Sequence, residues 1–259
     1  MGERTQYTPG TFSWTDLATT DQDAAKSFYG ELFGWTATDN PVGDGMTYSM
    51  MSLDGKDVAA IATQPPQQRD AGAPPAWSSY ITVESADAAL DRAEELGGTV
   101  HAAAFDVMDF GRMGVVQDPQ GAYFMVWEPK AHVGAGLVNA RGAPSWNELA
   151  TSDLAASASF YSELFGWKVE PIEGMQMPYM TIKNAAGHNN GGIRPAMEHG
   201  PPNWLVYFGI DDIDAGAAKA GELGGGTIVG PTPIGMGSIA VLRDPQGAVF
   251  ALFAGEFED

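Results

Sequence analysis

Two carboxylates in this chain occupy matched settings. Asp16 stands two residues after Trp14, and Glu148 stands two residues after Trp146. Alternate side chains of an extended strand share one face, so each acid shares its face with an indole. A carboxyl group held against aromatic surface loses water. That raises its pKa toward the range of a general acid or base. The same placement could anchor a ligand hydroxyl, or it could serve structure alone by binding backbone amides or a tyrosine hydroxyl across the sheet.

The elements that must position these acids occur twice. Ser13-Trp14-Thr15-Asp16-Leu17-Ala18-Thr19 is answered by Ser145-Trp146-Asn147-Glu148-Leu149-Ala150-Thr151, and Phe28-Tyr29 by Phe160-Tyr161. Glu31-Leu32-Phe33-Gly34-Trp35 returns as Glu163-Leu164-Phe165-Gly166-Trp167, and Asp118-Pro119-Gln120-Gly121 as Asp244-Pro245-Gln246-Gly247. Spacing so nearly constant means two copies of one unit. Each copy divides again. A strand from Trp14 to Thr19 leads to Asp21, a helix cap, and to a helix from about Asp23 to Phe33 with Ala24, Phe28 and Leu32 on one stripe. Strands follow at 47–53 and 58–62, then a Pro-, Gln- and Ala-rich linker at 64–76. Strand Trp77–Val83, a helix over 86–96 and strands near Thr99, at 113–117 and at 122–127 repeat the order. The second half does the same, which gives four βαβββ modules. The boundaries expected are 1–128, a Gly- and Pro-rich connector at 129–144, and 145–259.

Composition removes several function classes. Asp and Glu number 33 against 13 Lys and Arg, a net charge of −20, which repels phosphate backbones and anionic lipid surfaces. Neither a nucleic-acid nor a membrane partner is expected. There are no cysteines, so disulfides, thiolate metal sites and cysteine nucleophiles are excluded. No leader segment or apolar run of roughly 18 residues stands out, and a cytoplasmic location is expected. No phosphate-binding loop, zinc-type histidine pair or nucleophile elbow occurs.

The paired modules, the Asp…Phe-Tyr helix starts (Asp21…Phe28-Tyr29, Asp153…Phe160-Tyr161), the Leu-Gly-Gly helix ends (Leu96-Gly97-Gly98, Leu223-Gly224-Gly225) and the Asp-Pro-x-Gly turns resemble the vicinal oxygen chelate superfamily. That superfamily holds glyoxalase I, extradiol dioxygenases and bleomycin resistance proteins. Tandem members are sometimes labelled hydroxylases. The resemblance covers nearly the whole chain and implies an α+β fold of two cup-shaped domains, each formed by two modules. It also implies metal ligands on the concave faces. Carried onto this sequence, those positions hold Trp14, Ser78 and Met125 in one copy and Trp146, Leu205 and Ala251 in the other. The remaining position falls near Ala59 to Ile61 and Gly191 to Ile193. None of these residues is an ordinary ligand, so neither a metal nor another cofactor is expected. His188 with Asn190 is the one nearby alternative, against the plainer reading of a solvated loop histidine.

The same mapping lines the first cup with Trp14, Asp16, Tyr48, Tyr80, Tyr123, Met125 and Trp127, and the second with Trp146, Glu148, Tyr179 and Tyr207. Asp16 and Glu148 are the candidate catalytic groups and the rest candidate ligand contacts. Arg112, at the rim of the first cup, is a further candidate contact, or else a clamp for Asp106 or Asp109. Three readings follow. One is a metal-independent protein that binds and transforms a small, partly aromatic or apolar metabolite in secondary metabolism or detoxification. The second is a sequestering resistance protein, and the third a metal-dependent lyase or dioxygenase with unusual ligands. A monomer or weak homodimer is expected.

Overall fold

The computed structural model describes residues 2–43, 45–174, 177–197 and 200–257. The first half runs β1 (Gly2–Glu3), β2 (Phe12–Thr19), α1 (Gln22–Phe33), β3 (Thr36–Gly43), β4 (Met46–Leu53), β5 (Lys56–Thr63), a one-turn α2 (Pro66–Asp70), β6 (Ala76–Thr82), α3 (Ala86–Glu95), β7 (Thr99–Val107), β8 (Gly111–Gln117), β9 (Tyr123–Pro129) and β10 (Leu137–Val138). The second runs β11 (Pro144–Thr151), α4 (Leu154–Phe165), β12 (Lys168–Pro171), β13 (Met180–Lys183), β14 (Asn189–Pro195), β15 (Asn203–Gly209), α5 (Ile213–Glu222), β16 (Gly226–Pro233), β17 (Gly237–Arg243) and β18 (Val249–Gly255). The fold is α+β, as the sequence implies. The stretch read as a plain linker holds α2, which Pro65 and Pro66 start.

Two eight-stranded sheets result, in the orders β3-β4-β5-β2-β6-β9-β8-β7 and β12-β13-β14-β11-β15-β18-β17-β16. Each draws its strands from one half of the chain. At each centre the first strands of two modules pair antiparallel, β2 with β6 and β11 with β15. The helices α1 and α4 begin at Asp21 and Asp153, whose carboxylates accept the amides of Ala24 and Ala156, and end at the left-handed Gly34 and Gly166.

The helix-side cores cross between the halves. One joins Leu17, Phe28, Tyr29 and Phe33 to Val206, Phe208, Phe250 and Leu252, that is, module one to module four. The other joins Ile81, Leu90, Phe124 and Val126 of module two to Leu149, Phe160 and Tyr161 of module three, with Trp204 of β15 added from module four. Polar bonds run the same way. Asp118 turns its Oδ1 back on the amides of Gln120, Gly121 and Ala122. Its Oδ2 accepts the Tyr161 hydroxyl at 2.9 Å, and that hydroxyl accepts the Trp204 indole N–H at 2.9 Å. Asp244, Tyr29 and Trp77 repeat the relay from the other side, at 3.1 and 2.9 Å. The Phe-Tyr and Asp-Pro-x-Gly motifs therefore bolt one half to the other. Asn190 bridges the halves too, accepting from the Phe12 amide and donating to the Gly10 carbonyl.

Candidate functional site

The sheet faces turned away from the helices carry the chemistry. Strand alternation puts Leu17 in the helix-side core and Trp14 and Asp16 on the opposite face. In the first cup the Trp14 indole donates to the Tyr48 hydroxyl at 3.0 Å, and Tyr48 donates to Asp16 Oδ2 at 3.1 Å. Tyr80 donates to the same oxygen at 2.8 Å. Burial pushes the Asp16 carboxyl above the ordinary carboxylate range, against the opposing hydrogen bonds of Tyr80, Tyr48 and Ser78. Both phenols are held well above the usual tyrosine range, by burial first and by the Asp16 charge second. Among the described residues no cation is hydrogen-bonded to this carboxyl.

The floor of this cup includes the connector. Trp14 and Trp127 pack beside Ala135, with Val138 against them. His132 sets its ring edge-on to Trp14, centroids 4.5 Å apart, and its carbonyl accepts the Trp127 indole N–H at 2.9 Å. The His132 Nε2 is buried with no hydrogen-bond partner, and burial lowers the imidazole pKa. Nothing periodic in residues 129–144 announces this residue, and sequence reasoning missed it. The Trp127 ring lies across Gly111, where a Cβ would collide with three of its ring carbons. Gly111→Ala is expected to cost ~1–3 kcal/mol and to change the near-ultraviolet dichroism of the indole. Gly221→Ala, at a helical glycine with open space around its Cβ position, should be neutral or mildly stabilising when both variants are unfolded in urea.

The second cup is built alike and wired differently. The Trp146 indole donates to the Tyr179 hydroxyl at 3.0 Å, and Tyr207 donates to Glu148 Oε1 at 2.9 Å. Arg194 Nε donates to that same Oε1 at 2.6 Å. Parallel pairing of β11 and β14 sets Glu148 beside Gly192, so Arg194, two residues on, shares the face. The first copy has Ala62 at that place, because Asp16 pairs with Ala60. Sequence reasoning missed Arg194 because it needs this register. The second face is also more completely covered: Leu205, Val241 and Ala251 are buried, where the matching Ser78, Val115 and Met125 stay partly open.

Most sequence-derived candidates meet on these faces: Trp14, Asp16, Tyr48, Tyr80, Met125 and Trp127 in one, Trp146, Glu148, Tyr179 and Tyr207 in the other. Tyr123 lies on the first face at its open end. Arg112 is the correction. Met113 faces the cup, so Arg112 points to the helix side, where it grips Asp87 of α3 through two bonds of 2.8 and 2.9 Å and approaches Asp106 at 3.6 Å. It is a clamp and not a rim contact. His188 is exposed, and Asn190 is committed to the inter-half bonds already described.

The family model described as the glyoxalase/bleomycin resistance protein/dioxygenase superfamily matches residues 11–126 and 143–252. The chain belongs to this superfamily. It is 44% identical over 255 residues to a Mycobacterium tuberculosis protein that carries the name "Putative glyoxylase CFP32", with 97% of each chain covered. It is 35% identical over 264 residues to the anthracycline biosynthesis protein DnrV of Streptomyces peucetius, covering 96% of this chain and 94% of that one. Among solved structures, the Mn(II)-bound glyoxalase of Novosphingobium aromaticivorans superposes with a TM-score of 0.67 at 20% identity, covering 100% of this chain and 84% of that chain. The dioxygenase LapB of Pseudomonas sp. KL28 does so with a TM-score of 0.65 at 15% identity, covering 98% and 95%. These likenesses show the shared fold.

The superfamily implies a metal, and the residues here do not fit one. An indole, a thioether and alkyl groups replace imidazole and carboxylate at the mapped positions. Register sets Ala60 and Gly192 beside the two acids, and neither has a donor side chain. Among the described residues no three His, Asp or Glu side chains group to hold an ion. No helix among them is long and apolar enough to cross a membrane.

Proposed function

We propose that the chain is a metal-independent member of the superfamily that takes a small, partly aromatic or apolar metabolite into its first cup and moves a proton on it with Asp16. The observation that carries this is the Asp16 carboxyl itself, held by two phenols beneath indole surface, raised in pKa and, among the described residues, without a cation partner. When ionised, Asp16 accepts a proton from an acidic C–H or O–H of the ligand; when protonated, it returns one. Tyr48 and Tyr80 keep the carboxyl aimed and stay neutral donors. Glu148 is committed to Arg194, so the second cup has a weaker claim to the chemistry. The name of DnrV, an anthracycline biosynthesis protein, supports an aromatic ligand and a place in secondary metabolism.

Asp16→Asn keeps shape and removes the exchangeable charge. It is expected to lower turnover of a responsive substrate roughly 10²–10⁴-fold while the fold survives. Unchanged turnover in a stably folded Asp16→Asn variant would end the proton-transfer reading; stoichiometric binding of that compound without turnover would favour sequestration. Elemental analysis after dialysis is expected to find no stoichiometric Mn, Fe, Ni or Zn. About one such ion per half, lost on chelation together with activity, contradicts the metal-independent part.

A further inference from the structure

The wall of the first cup formed by β7, β8 and β9 leaves aromatic and apolar surface open that proton transfer does not use. Phe105 is 46% exposed and Tyr123 48%. Cross-strand register places Phe105, Met113 and Trp127 in one row and Gln117 with Tyr123 in another, with Val115 and Met125 between them. His101 is an extra residue where the β7 register shifts between Val100 and Ala102. The bulge turns it onto the same face, where its ring meets Tyr123 at 4.8 Å and its Nε2 lies 3.0 Å from Gln117 Oε1.

The dimensions follow from strand geometry. The rows stand four residues apart, ~13 Å, and β7 lies two strand spacings from β9, ~10 Å. One aromatic ring cannot touch both rows, whereas three fused rings can. Arg112 and Asp106 pair on the other face, so the carboxylate and guanidinium next to this wall do not turn into it. Met125 is in register with Tyr80, whose hydroxyl binds Asp16. A flat ligand lying over Val115 and Met125 therefore presents one edge to the Asp16 and tyrosine cluster. The second copy lacks the aromatic part of this surface: Val249 replaces Tyr123, Ile228 stands at the bulge where His101 does, Thr232 stands opposite Ile239 where Phe105 faces Met113, and Val241 and Ala251 are buried.

We propose that this wall is a shelf for the flat body of a fused-ring aromatic metabolite, with a ring oxygen directed at Asp16. The inference rests on reading the first cup as the ligand site. The open aromatic corners hold the outer rings, the apolar centre excludes water from the middle ring, and the shelf sets a preference for ligand size that the Asp16 cluster alone does not.

The test titrates the full chain by calorimetry with 1,8-dihydroxyanthraquinone and with the one-ring hydroxyketone 2-hydroxyacetophenone. The fused-ring probe should bind more tightly. Tyr123→Ala and His101→Ala should each weaken it roughly 3- to 10-fold, leave the one-ring probe within twofold, and Tyr123→Phe should restore binding. Val249→Ala in the second copy should change neither. Tyr123 is half exposed, so an unchanged thermal midpoint separates lost contact from lost fold. A fused-ring probe that fails to bind, or that ignores both shelf variants, or losses equal for the two probes, overturns the shelf. In those cases a one-ring probe still sensitive to Asp16→Asn leaves the site reading standing. If Asp16→Asn leaves both probes unaffected while the shelf variants still discriminate, the site reading is what falls.

Discussion

Cut within the connector, neither half of this chain is expected to fold as a monomer. Each half brings a complete sheet, yet the apolar surface behind that sheet is finished by the other half. Phe28, Tyr29 and Phe33 of the first half share a core with Phe208 and Phe250 of the second, and Phe124 of the first half shares one with Phe160, Tyr161 and Trp204 of the second. Burying a single such side chain stabilises by about 1.5–3 kcal/mol, and whole domains keep only about 5–15 kcal/mol of net stability. Losing one side of both cores exceeds that margin. The Tyr29–Asp244 and Tyr161–Asp118 bonds would also lose a partner, leaving buried polar groups unsatisfied. The two fragments of a chain cut within the connector should aggregate or self-pair when made separately, and mixing them should restore a cooperative melt. Sedimentation and thermal denaturation decide this; a sharply melting monomer of either fragment would sink it.

Much of the fold was legible because the sequence states its period twice. Asp21 and Asp153 cap helices where capping chemistry placed them, and Gly34 and Gly166 end those helices in the left-handed conformation. What repetition could not show is which surface meets which. Tyr29 and Asp118 stand in motifs that mark the superfamily, and their linear positions carry no hint that each bonds across the halves. That contact depends on the packing of four modules, a property of the assembled chain and not of any window in it.

The candidate site was legible to the extent that strand parity reaches. Trp14 with Asp16, and Trp146 with Glu148, share faces because two-residue alternation is local. Arg112 shows where that reasoning stopped. Its distance from the Asp118-Pro119 turn makes it equivalent to Ser238 of the second copy but says nothing of which face it takes. Its facing is set by the pairing of Met113 with Trp127 across β8 and β9. Arg194 was hidden by the same gap, since only the register of β11 on β14 carries it to Glu148. His132 lies in a connector without periodicity, so its burial against Trp14 had no sequence signal at all.

The two carboxylates should answer substitution in opposite directions. Arg194 and Glu148 form a largely buried pair, their side chains 18% and 8% exposed. Removing one member leaves the other without compensation, so Arg194→Ala is expected to destabilise by about 3–5 kcal/mol. The exposed Lys56–Glu3 pair, 45% and 65% exposed, should be worth ~0–1 kcal/mol by the same measurement. Adding Glu148→Gln to Arg194→Ala should recover part of the loss, because the unpaired charge goes with it. Asp16 has no such partner among the described residues, and its carboxyl is raised by burial. Below the ordinary carboxylate range it is protonated in both folded and unfolded chains. As pH climbs, the unfolded chain ionises first while the fold resists, so this group subtracts stability until the raised pKa is passed. Asp16→Asn removes that subtraction. The stability of Asp16→Asn relative to the parent chain should therefore rise from acid pH toward neutrality and then level off. Urea unfolding of both proteins across that range reads the difference directly. A difference that falls with rising pH would mean that the folded protein favours the ionised carboxylate, and the case for Asp16 as a proton-transfer group would lose its physical basis.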